Sequence, residues 1–354
     1  MRADRFLRAC RREPVDCTPV WFMRQAGRSL PEYRRLRERY TLLDIARQPD
    51  LCAEVTLLPV GRLGVDAAVL FADIMLPLGD MGVGFELKEG VGPVIEAPIR
   101  TATDVQALRR FEPREYIAPV LEAIGLIRKQ SPVPLIGFAG APFTLAAYLI
   151  EGAPSREFLR AKELMYIAPA LWTDLMARLT EATLRYLETQ IAAGVQAVQV
   201  FDSWVGCLSP ADYRESVQPH MRRLFDGLRP TGLPCIHFGT GTAGLLPLMA
   251  EAGGDVIGVD WRVRLDEAWA LVGDGRGIQG NLDPAVLLGP FDLVERRALD
   301  VLAQANGRPG HIFNLGHGVL PDTPIGHLQR LVECVHKRSA RPASTGRPGE
   351  GTGR

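Results

Sequence analysis

Residues 19–33 read PVWFMRQAGRSLPEY, an apolar run that leads through two arginines and a glycine into a helix-start signal. The continuous apolar run at 20–23 is typical of a parallel strand covered on both faces. Arg24 and Arg28 follow it, and each presents a planar fork of donors that matches a carboxylate or phosphate. Gly27 lets the backbone approach a ligand closely. The stretch predicts a strand, a loop and a helix with an anion site in the loop; two ordinary surface arginines are the alternative.

The overall composition places no strong electric field around this chain. Its 354 residues carry 41 basic and 41 acidic side chains, with 47 % hydrophobic and 23 % charged residues. This balance argues against global attraction to nucleic acid or to an anionic membrane, so any attraction for an anion must be local. The length suits one large domain such as an α/β barrel.

Cysteine usage and the chain ends indicate a cytoplasmic location. The six cysteines are scattered without a C-x-x-C pair, which is typical of free thiols in a reducing compartment. The first residues are charged throughout, so no signal peptide is expected. The uncharged stretch 131–150 is long enough to span a bilayer, but its prolines and glycines predict a strand, a loop and a helix start. Residues 339–354 cannot bury a core and are expected to form a disordered tail.

Short apolar runs recur along the chain with helix-like segments between most of them. Beyond 20–23, the predicted strands lie at 67–71, 135–139, 197–201, 235–238, 256–259, 277–280 and 311–314. Segments such as 168–192 and 210–228 are long enough for crossover helices. Eight such units predict an α/β fold, a single-domain (β/α)8 TIM barrel over residues 1–338. An open doubly wound sheet is the alternative, weakened because neither nucleotide-binding glycine motif occurs.

Two local signals sharpen this prediction. Ser29 and Glu32 have capping-box spacing around Pro31, which predicts that a helix begins there. The segment 83–99 is rich in Gly and Val and alternates loosely, which predicts a hairpin inserted after the second strand.

Polar residues follow several of the predicted strands, where barrel enzymes carry their chemistry. Asp73 lies among apolar neighbours and would need donors or a cation if buried; capping of the next helix is the alternative. His317 stands between two glycines, which favours ligand approach, although a lone histidine is more often structural. Tyr148 could equally be a core aromatic. Ser203 is a weak signal taken alone.

Metal and acyl-transfer chemistry find no support in the sequence. Cys235 and His237 form the order Cys-x-His, and the residue two after His237 is Gly239 instead of a second cysteine. Neither H-x-x-x-H spacing nor a G-x-S-x-G elbow occurs. We therefore expect no metal.

Several motifs closely resemble those of the uroporphyrinogen decarboxylase family. The segments MRQAGRSLPEY, GFAGAPFTLAAY and NLGHGV, at 23–33, 137–148 and 314–319, carry most of the likeness. FADI, GVDW and QGNLDP fit in the right order, beginning at Phe71, Gly258 and Gln279. The resemblance runs from about Asp4 to about His336 and leaves only the tail uncovered.

The resemblance implies a single-domain barrel, usually a homodimer, that uses neither metal nor prosthetic group. The implied reaction removes CO₂ from the four acetate side chains of uroporphyrinogen III and gives coproporphyrinogen III for haem and related tetrapyrroles. Asp73 would offset a cationic pyrrole, with Arg24 and Tyr148 as further catalytic residues. The residues implied to bind this small-molecule substrate are Arg24, Gln25, Ala26, Gly27, Arg28, Arg37, Asp73, Tyr148, Ser203 and His317.

Two other functions are alternatives to this one. The related zinc methyltransferases need a His-x-Cys ligand pair after the fifth strand, where this chain has His237 and Gly239. A tetrapyrrole carrier without catalysis would be expected to lose Asp73 or an arginine, and both kinds of residue are present.

Overall fold

The computed structural model of this protein describes residues 3–27, 29–88, 90–114 and 116–341. Within these residues the strands are Ala68–Val69 (β1), Phe85–Lys88 (β2), Gly92–Ile95 (β3), Leu135–Gly140 (β4), Ala197–Asp202 (β5), Cys235–Gly239 (β6), Val256–Gly258 (β7), Gly277–Gln279 (β8) and His311–Ile312 (β9). Seven of them form one parallel sheet in the order β1-β4-β5-β6-β7-β8-β9. Their residues are almost all buried, as expected for a parallel sheet covered on both faces.

Helices follow most strands and cover the sheet. They are Arg5–Cys10 (α1), Pro31–Arg37 (α2), Leu42–Ala46 (α3), Pro49–Leu63 (α4), Leu76–Asp80 (α5), Ala102–Ala107 (α6), Ala118–Gln130 (α7), Pro142–Glu151 (α8), Leu159–Ile167 (α9), Pro169–Ala193 (α10), Pro210–Ser216 (α11), Gln218–Leu228 (α12), Leu246–Ala252 (α13), Leu265–Val272 (α14), Phe291–Ala305 (α15) and Ile325–Arg338 (α16). Short 3₁₀ turns lie at Val205–Cys207, Arg229–Thr231, Ala243–Leu245 and Pro284–Leu288. No helix in the described part of the chain is long and apolar enough to cross a membrane.

The predicted first strand at 20–23 is present only as an isolated parallel bridge between Val20 and Phe313. Trp21 N donates to Phe313 O at 3.4 Å, and side chains accept from the other backbone N–H groups of this segment in place of a regular ladder. Val20 N donates to Asp66 Oδ2 at 2.8 Å, and Phe22 N donates to Gln25 Oε1 at 3.0 Å. Met23 N donates to Asn314 Oδ1 at 3.2 Å. The fold is therefore a single parallel sheet with helices, and the predicted eight-stranded barrel is seen as seven strands plus this bridge.

Most other sequence predictions of elements are confirmed. The hairpin predicted within 83–99 is the antiparallel pair β2–β3, with Phe85 opposite Ile95. The stretch 131–150 holds β4 and all of α8 except its last residue, which agrees with the predicted strand, loop and helix start. The predicted crossover at 168–192 is α10, whereas 210–228 is divided into α11 and α12 around Val217.

The predicted capping box at the start of α2 is wrong, although the helix does begin at Pro31. Leu30 is the N-cap residue and makes no side-chain cap, while the buried Ser29 Oγ has no hydrogen-bond partner among the described residues. The spacing predicts the helix start correctly, but the Ser29 hydroxyl makes no bond to the helix end that it would cap.

An ion cluster ties the two ends of the chain together at the amino edge of the sheet. The buried Asp66 accepts bonds from Arg5 Nη1 and His336 Nε2, both at 2.6 Å, and Arg5 also binds Asp16. The Arg5 guanidinium lowers the pKa of Asp16 to about 2. The proposed domain boundary after residue 338 stays a prediction, because residues 342–354 of the predicted tail lie outside the described residues.

Candidate active site

The parallel strands bring most of the predicted site residues to one edge of the sheet. Ser203 directly follows β5, while Asp73 and His317 lie a few residues beyond β1 and β9. Arg24 follows the segment 20–23. In this segment Val20 forms the bridge with Phe313, and Val20 O accepts a hydrogen bond from Asp66 N at 2.8 Å. The loop that carries Arg24 therefore emerges between the ends of β9 and β1.

Arg24 lies in a tight turn that fixes the direction of its side chain. Its φ of 59° falls in the left-handed region, which costs a non-glycine residue about 1 kcal/mol. Gly27 N donates to Arg24 O at 2.8 Å, and a Cβ on Gly27 would lie only 2.6 Å from that oxygen, so the turn requires glycine there. The Arg24 side chain packs over Gly318, where an added Cβ would lie 2.4 Å from its Cδ. The turn thus directs an exposed guanidinium across the edge of the sheet.

Asp73 is a half-buried carboxylate beside this arginine. Its Oδ1 accepts a hydrogen bond from Met75 N at 2.9 Å. Burial raises the pKa of Asp73 above its usual range, and the bond from Met75 N and the charge of Arg24 oppose that rise. The bond to Met75 N resembles the capping alternative. The other carboxylate oxygen, Oδ2, accepts no hydrogen bond from the described residues.

Tyr148 lies on α8, is 8 % exposed and packs its ring against Trp204, with centroids 6.0 Å apart and planes at 73°. Burial raises the pKa of Tyr148, and the nearby Asp73 charge raises it further, while Trp204 and Arg24 lower it. Tyr148 therefore keeps its proton near neutral pH and can donate a hydrogen bond towards the carboxylate side of the site.

His317 is neutral at physiological pH. Burial, helped by the positive charge of Arg24, lowers its pKa to about 4. Its Nδ1 accepts a hydrogen bond from Gly318 N at 2.6 Å, so the ring proton of the neutral tautomer belongs on Nε2. His317 thus offers one N–H donor without adding a charge.

Aromatic rings line the sheet beside His317. Phe138 and Phe201 meet edge to face at 5.5 Å, Phe201 and Phe238 at 5.8 Å, and Phe238 lies 6.4 Å from the His317 ring. These rings come from neighbouring strands and form an apolar surface at the carboxyl edge. Sequence reasoning did not select them, because buried aromatics in strands are expected in any core.

Other predicted site residues are placed differently. The Gln25 side chain is fully buried. Its Oε1 accepts a hydrogen bond from Phe22 N and its Nε2 donates one to Ala67 O, so it holds the loop in place. Ala26 is buried. Arg37 is half-buried and donates to Tyr40 O at 3.3 Å. Ser203 is half-buried, and its backbone oxygen accepts from Thr240 Oγ1. Arg28 lies outside the described residues.

The described residues at this edge of the sheet combine apolar rings, the Asp73 carboxylate and several hydrogen-bond donors. Among the described residues, no three His, Cys, Asp or Glu side chains are grouped closely enough to hold a metal ion. A separate groove of about 1040 Å³ runs between the ends of β7 and β8 and α15, and it includes Arg262 and Asp300 but neither Asp73 nor Tyr148. The fold and these groups are those of an α/β protein suited to an anionic ligand with an apolar body.

Comparison with known proteins identifies the family to which this chain belongs. The family model described as uroporphyrinogen decarboxylase (URO-D) matches residues 1–338. Proteins named uroporphyrinogen decarboxylase are 57 % identical in Sorangium cellulosum and 58 % identical in Thermus thermophilus. These alignments cover 94 % and 95 % of this chain and 96 % and 98 % of those proteins. The chain belongs to the uroporphyrinogen decarboxylase family, so the predicted family and the prediction of a carboxy-lyase are confirmed.

Solved structures agree at the level of the fold. A methyltransferase from Methanosarcina mazei superposes with a TM-score of 0.76 at 20 % identity, covering 95 % of this chain and 98 % of that one. A B12-independent methionine synthase from Shewanella superposes with a TM-score of 0.57 at 12 % identity, covering 82 % and 88 %. Such low identities show a shared architecture and carry no information about substrate.

Proposed function

We propose that this chain removes CO₂ from the four acetate side chains of uroporphyrinogen III and releases coproporphyrinogen III for tetrapyrrole biosynthesis. Family membership supports the reaction. The observation that supports the residue roles is that Arg24 and Asp73 follow different strands and yet reach the same edge of the sheet, where the charge of Arg24 opposes the rise in the Asp73 pKa.

The reaction needs a group that tolerates a developing positive charge. Loss of CO₂ leaves a carbanion equivalent, which elsewhere requires an electron sink such as a cofactor. In our proposal the pyrrole is its own sink, because protonation at a ring carbon makes it cationic. Asp73 would then accept the pyrrole N–H bonds and offset that charge. A fixed carboxylate in a site of low dielectric does this better than water and can supply several kcal/mol.

Substrate carboxylates would be bound around this centre. Arg24 and the sequence-predicted Arg28 and Arg37 would pair with acetate and propionate groups, because guanidinium matches a carboxylate bidentately. Neutral His317 would donate from Nε2, and Ser203 would add a hydroxyl. These roles rest on the family resemblance together with the positions of the described residues, and no residue is assigned as the proton donor.

Gln25 acts indirectly in this proposal. Its amide bonds to Phe22 N and Ala67 O keep the arginine loop against β1.

We also propose that the segment 20–23 closes the sheet into an eight-stranded barrel. Val20 O accepts a hydrogen bond from Asp66 N, which precedes β1, and the residues on either side of Val20 bond to Phe313, which follows β9. The homodimer, the cytoplasmic location and the absence of a cofactor remain predictions from sequence.

The proposal is tested by anaerobic incubation of chelator-treated protein with uroporphyrinogen III. Products are oxidised and separated by their number of carboxylates. Seven-, six-, five- and four-carboxylate porphyrins are expected, which would establish both the reaction and its independence of a removable metal. A folded protein that binds the substrate without releasing CO₂ would instead be a carrier, and the proposal would be wrong.

A further inference from the structure

A buried polar cluster lies beneath Tyr148 and is not used by the proposed reaction. Thr144 precedes Tyr148 by one helical turn on α8, so both side chains lie on the same face of that helix. Thr144 is fully buried, whereas Tyr148 is 8 % exposed. The helix therefore joins the interior of the fold directly to the site.

The Thr144 hydroxyl connects the last residue of β5 to the segment that follows this strand. It accepts a hydrogen bond from Trp204 N and donates one to Asp202 Oδ1, both at 3.4 Å. A hydroxyl that donates in one direction and accepts from another has its proton and lone pairs fixed. This arrangement ties the backbone of Trp204 to α8.

The acceptor for Thr144 lies beside a buried histidine. Asp202 and His237 are both fully buried, with Oδ2 and Nε2 3.7 Å apart. Burial raises the pKa of Asp202, and the contact with His237 opposes that rise. Asp202 Oδ2 and both ring nitrogens of His237 have no hydrogen-bond partner among the described residues. Such a buried pair is expensive to keep for stability alone.

Trp204 passes this restraint on to the site. Its indole meets the Tyr148 ring edge to face at 6.0 Å and is backed by Phe158 at 5.5 Å. A change in the position of Trp204 would therefore move the ring that packs against Tyr148.

We propose that Thr144, anchored by the buried Asp202–His237 pair, is a positioning residue that acts through Trp204 to hold Tyr148 in its working geometry. This inference rests on the proposed function, because it assumes that Tyr148 takes part in the decarboxylation. Thr144 does not touch the substrate in this scheme.

The first test replaces the Thr144 hydroxyl by a methyl group of similar size. Thr144→Val is expected to lower kcat about three- to tenfold, the effect of one hydrogen bond, with KM within twofold of wild type. Thr144→Ser should restore kcat, because it restores the hydroxyl. Thr180→Val is the matched control: Thr180 is equally buried, but its hydroxyl binds Met176 O within α10. This control should lose stability without losing kcat.

A double-mutant cycle separates positioning from general loss of structure. If Thr144 acts through Tyr148, then Thr144→Val should have no further effect on kcat in a Tyr148→Phe background. Multiplicative effects in the double variant would overturn the inference. If Thr144→Val does not fold, Trp204→Phe replaces it in the same cycle, with the same expectation and the same contrary result.

A readout that does not depend on activity keeps the inference separate from the proposed function. The chain has five tryptophans, so ¹⁵N-labelled indoles give five N–H resonances, and Trp204→Phe identifies that of Trp204. Thr144→Val should move this resonance, while Thr180→Val should leave it in place. An unmoved resonance would overturn the link between Thr144 and Trp204 whether or not the protein is a decarboxylase; an inactive wild type would refute the proposed function alone.

Discussion

Gly318→Ala should weaken catalysis by displacing Arg24. A Cβ at position 318 would lie 2.4 Å from Arg24 Cδ and 2.7 Å from its Cγ, far inside normal carbon–carbon contact. The backbone of Gly318 is not in the left-handed region, so alanine adds no strain of its own. The arginine side chain must therefore leave its position. Loss of one charge-assisted contact of about 1.5–3 kcal/mol would lower kcat/KM by roughly 10- to 150-fold.

The assay measures initial anaerobic rates over a range of uroporphyrinogen concentrations, with melting curves to check folding. Gly326→Ala is the control, because a Cβ at that position meets no atom within 4 Å. An Arg24→Ala change added to Gly318→Ala should cost little more, since the contact is already lost. If Gly318→Ala kept kcat/KM within twofold of wild type, Arg24 would not be held over Gly318 for substrate binding.

Two further predictions concern stability. Asp66→Asn breaks the buried ion cluster that binds Val20 N, which should cost about 3–5 kcal/mol. At about 2.1 cal/mol/K per residue, this is a fall in Tm of roughly 4–7 °C. Separately, burial lowers the pKa of His311 and of His317 to about 4. The unfolded chain binds more protons between pH 4 and 6.5, so the free energy of unfolding should fall as pH drops through that range, by up to about 3 kcal/mol for His311.

Controls for these two predictions come from the chain itself. Asp274 pairs with Arg308 but its side chain is 98 % exposed, so Asp274→Asn should change Tm by less than 1 °C. Equal melting temperatures of Asp66→Asn and wild type would contradict the importance of the cluster. Urea unfolding at pH 7 and pH 4.5 tests the histidines, and His311→Gln should reduce the difference between the two. A free energy that does not change with pH would contradict their burial as neutral rings.

The strands of the sheet could be predicted because their apolar runs are continuous and bounded by turns. The segment 20–23 shows where this reasoning ends. Its apolar pattern is that of a strand, but Asp66 and Gln25 take its N–H groups, and both partners become visible only in three dimensions. Hydrophobic pattern reports burial, and it does not report which group satisfies a buried backbone donor.

The candidate site could be predicted residue by residue only where a motif marked it. Asp73 and His317 follow strands and stood out because of their neighbours. Gln25 lies within the same motif as Arg24, yet its side chain points inwards and donates to Ala67 O. A motif alone does not distinguish a residue that binds the substrate from one that supports the loop. Trp204 was not selected, because its contact with Tyr148 joins two elements far apart in sequence.

The central claim is that the Asp73 carboxylate stabilises the charge that develops on the substrate. The most direct measurement is single-turnover decarboxylation of uroporphyrinogen III by Asp73→Asn, with substrate binding measured separately. Asp283→Asn is the control at the same edge of the sheet, because an asparagine can still cap the turn that Asp283 caps. The predicted result is substrate binding within a few-fold of wild type and a decarboxylation rate lower by about 100-fold or more. A rate within threefold of wild type would contradict the claim and remove Asp73 from the mechanism.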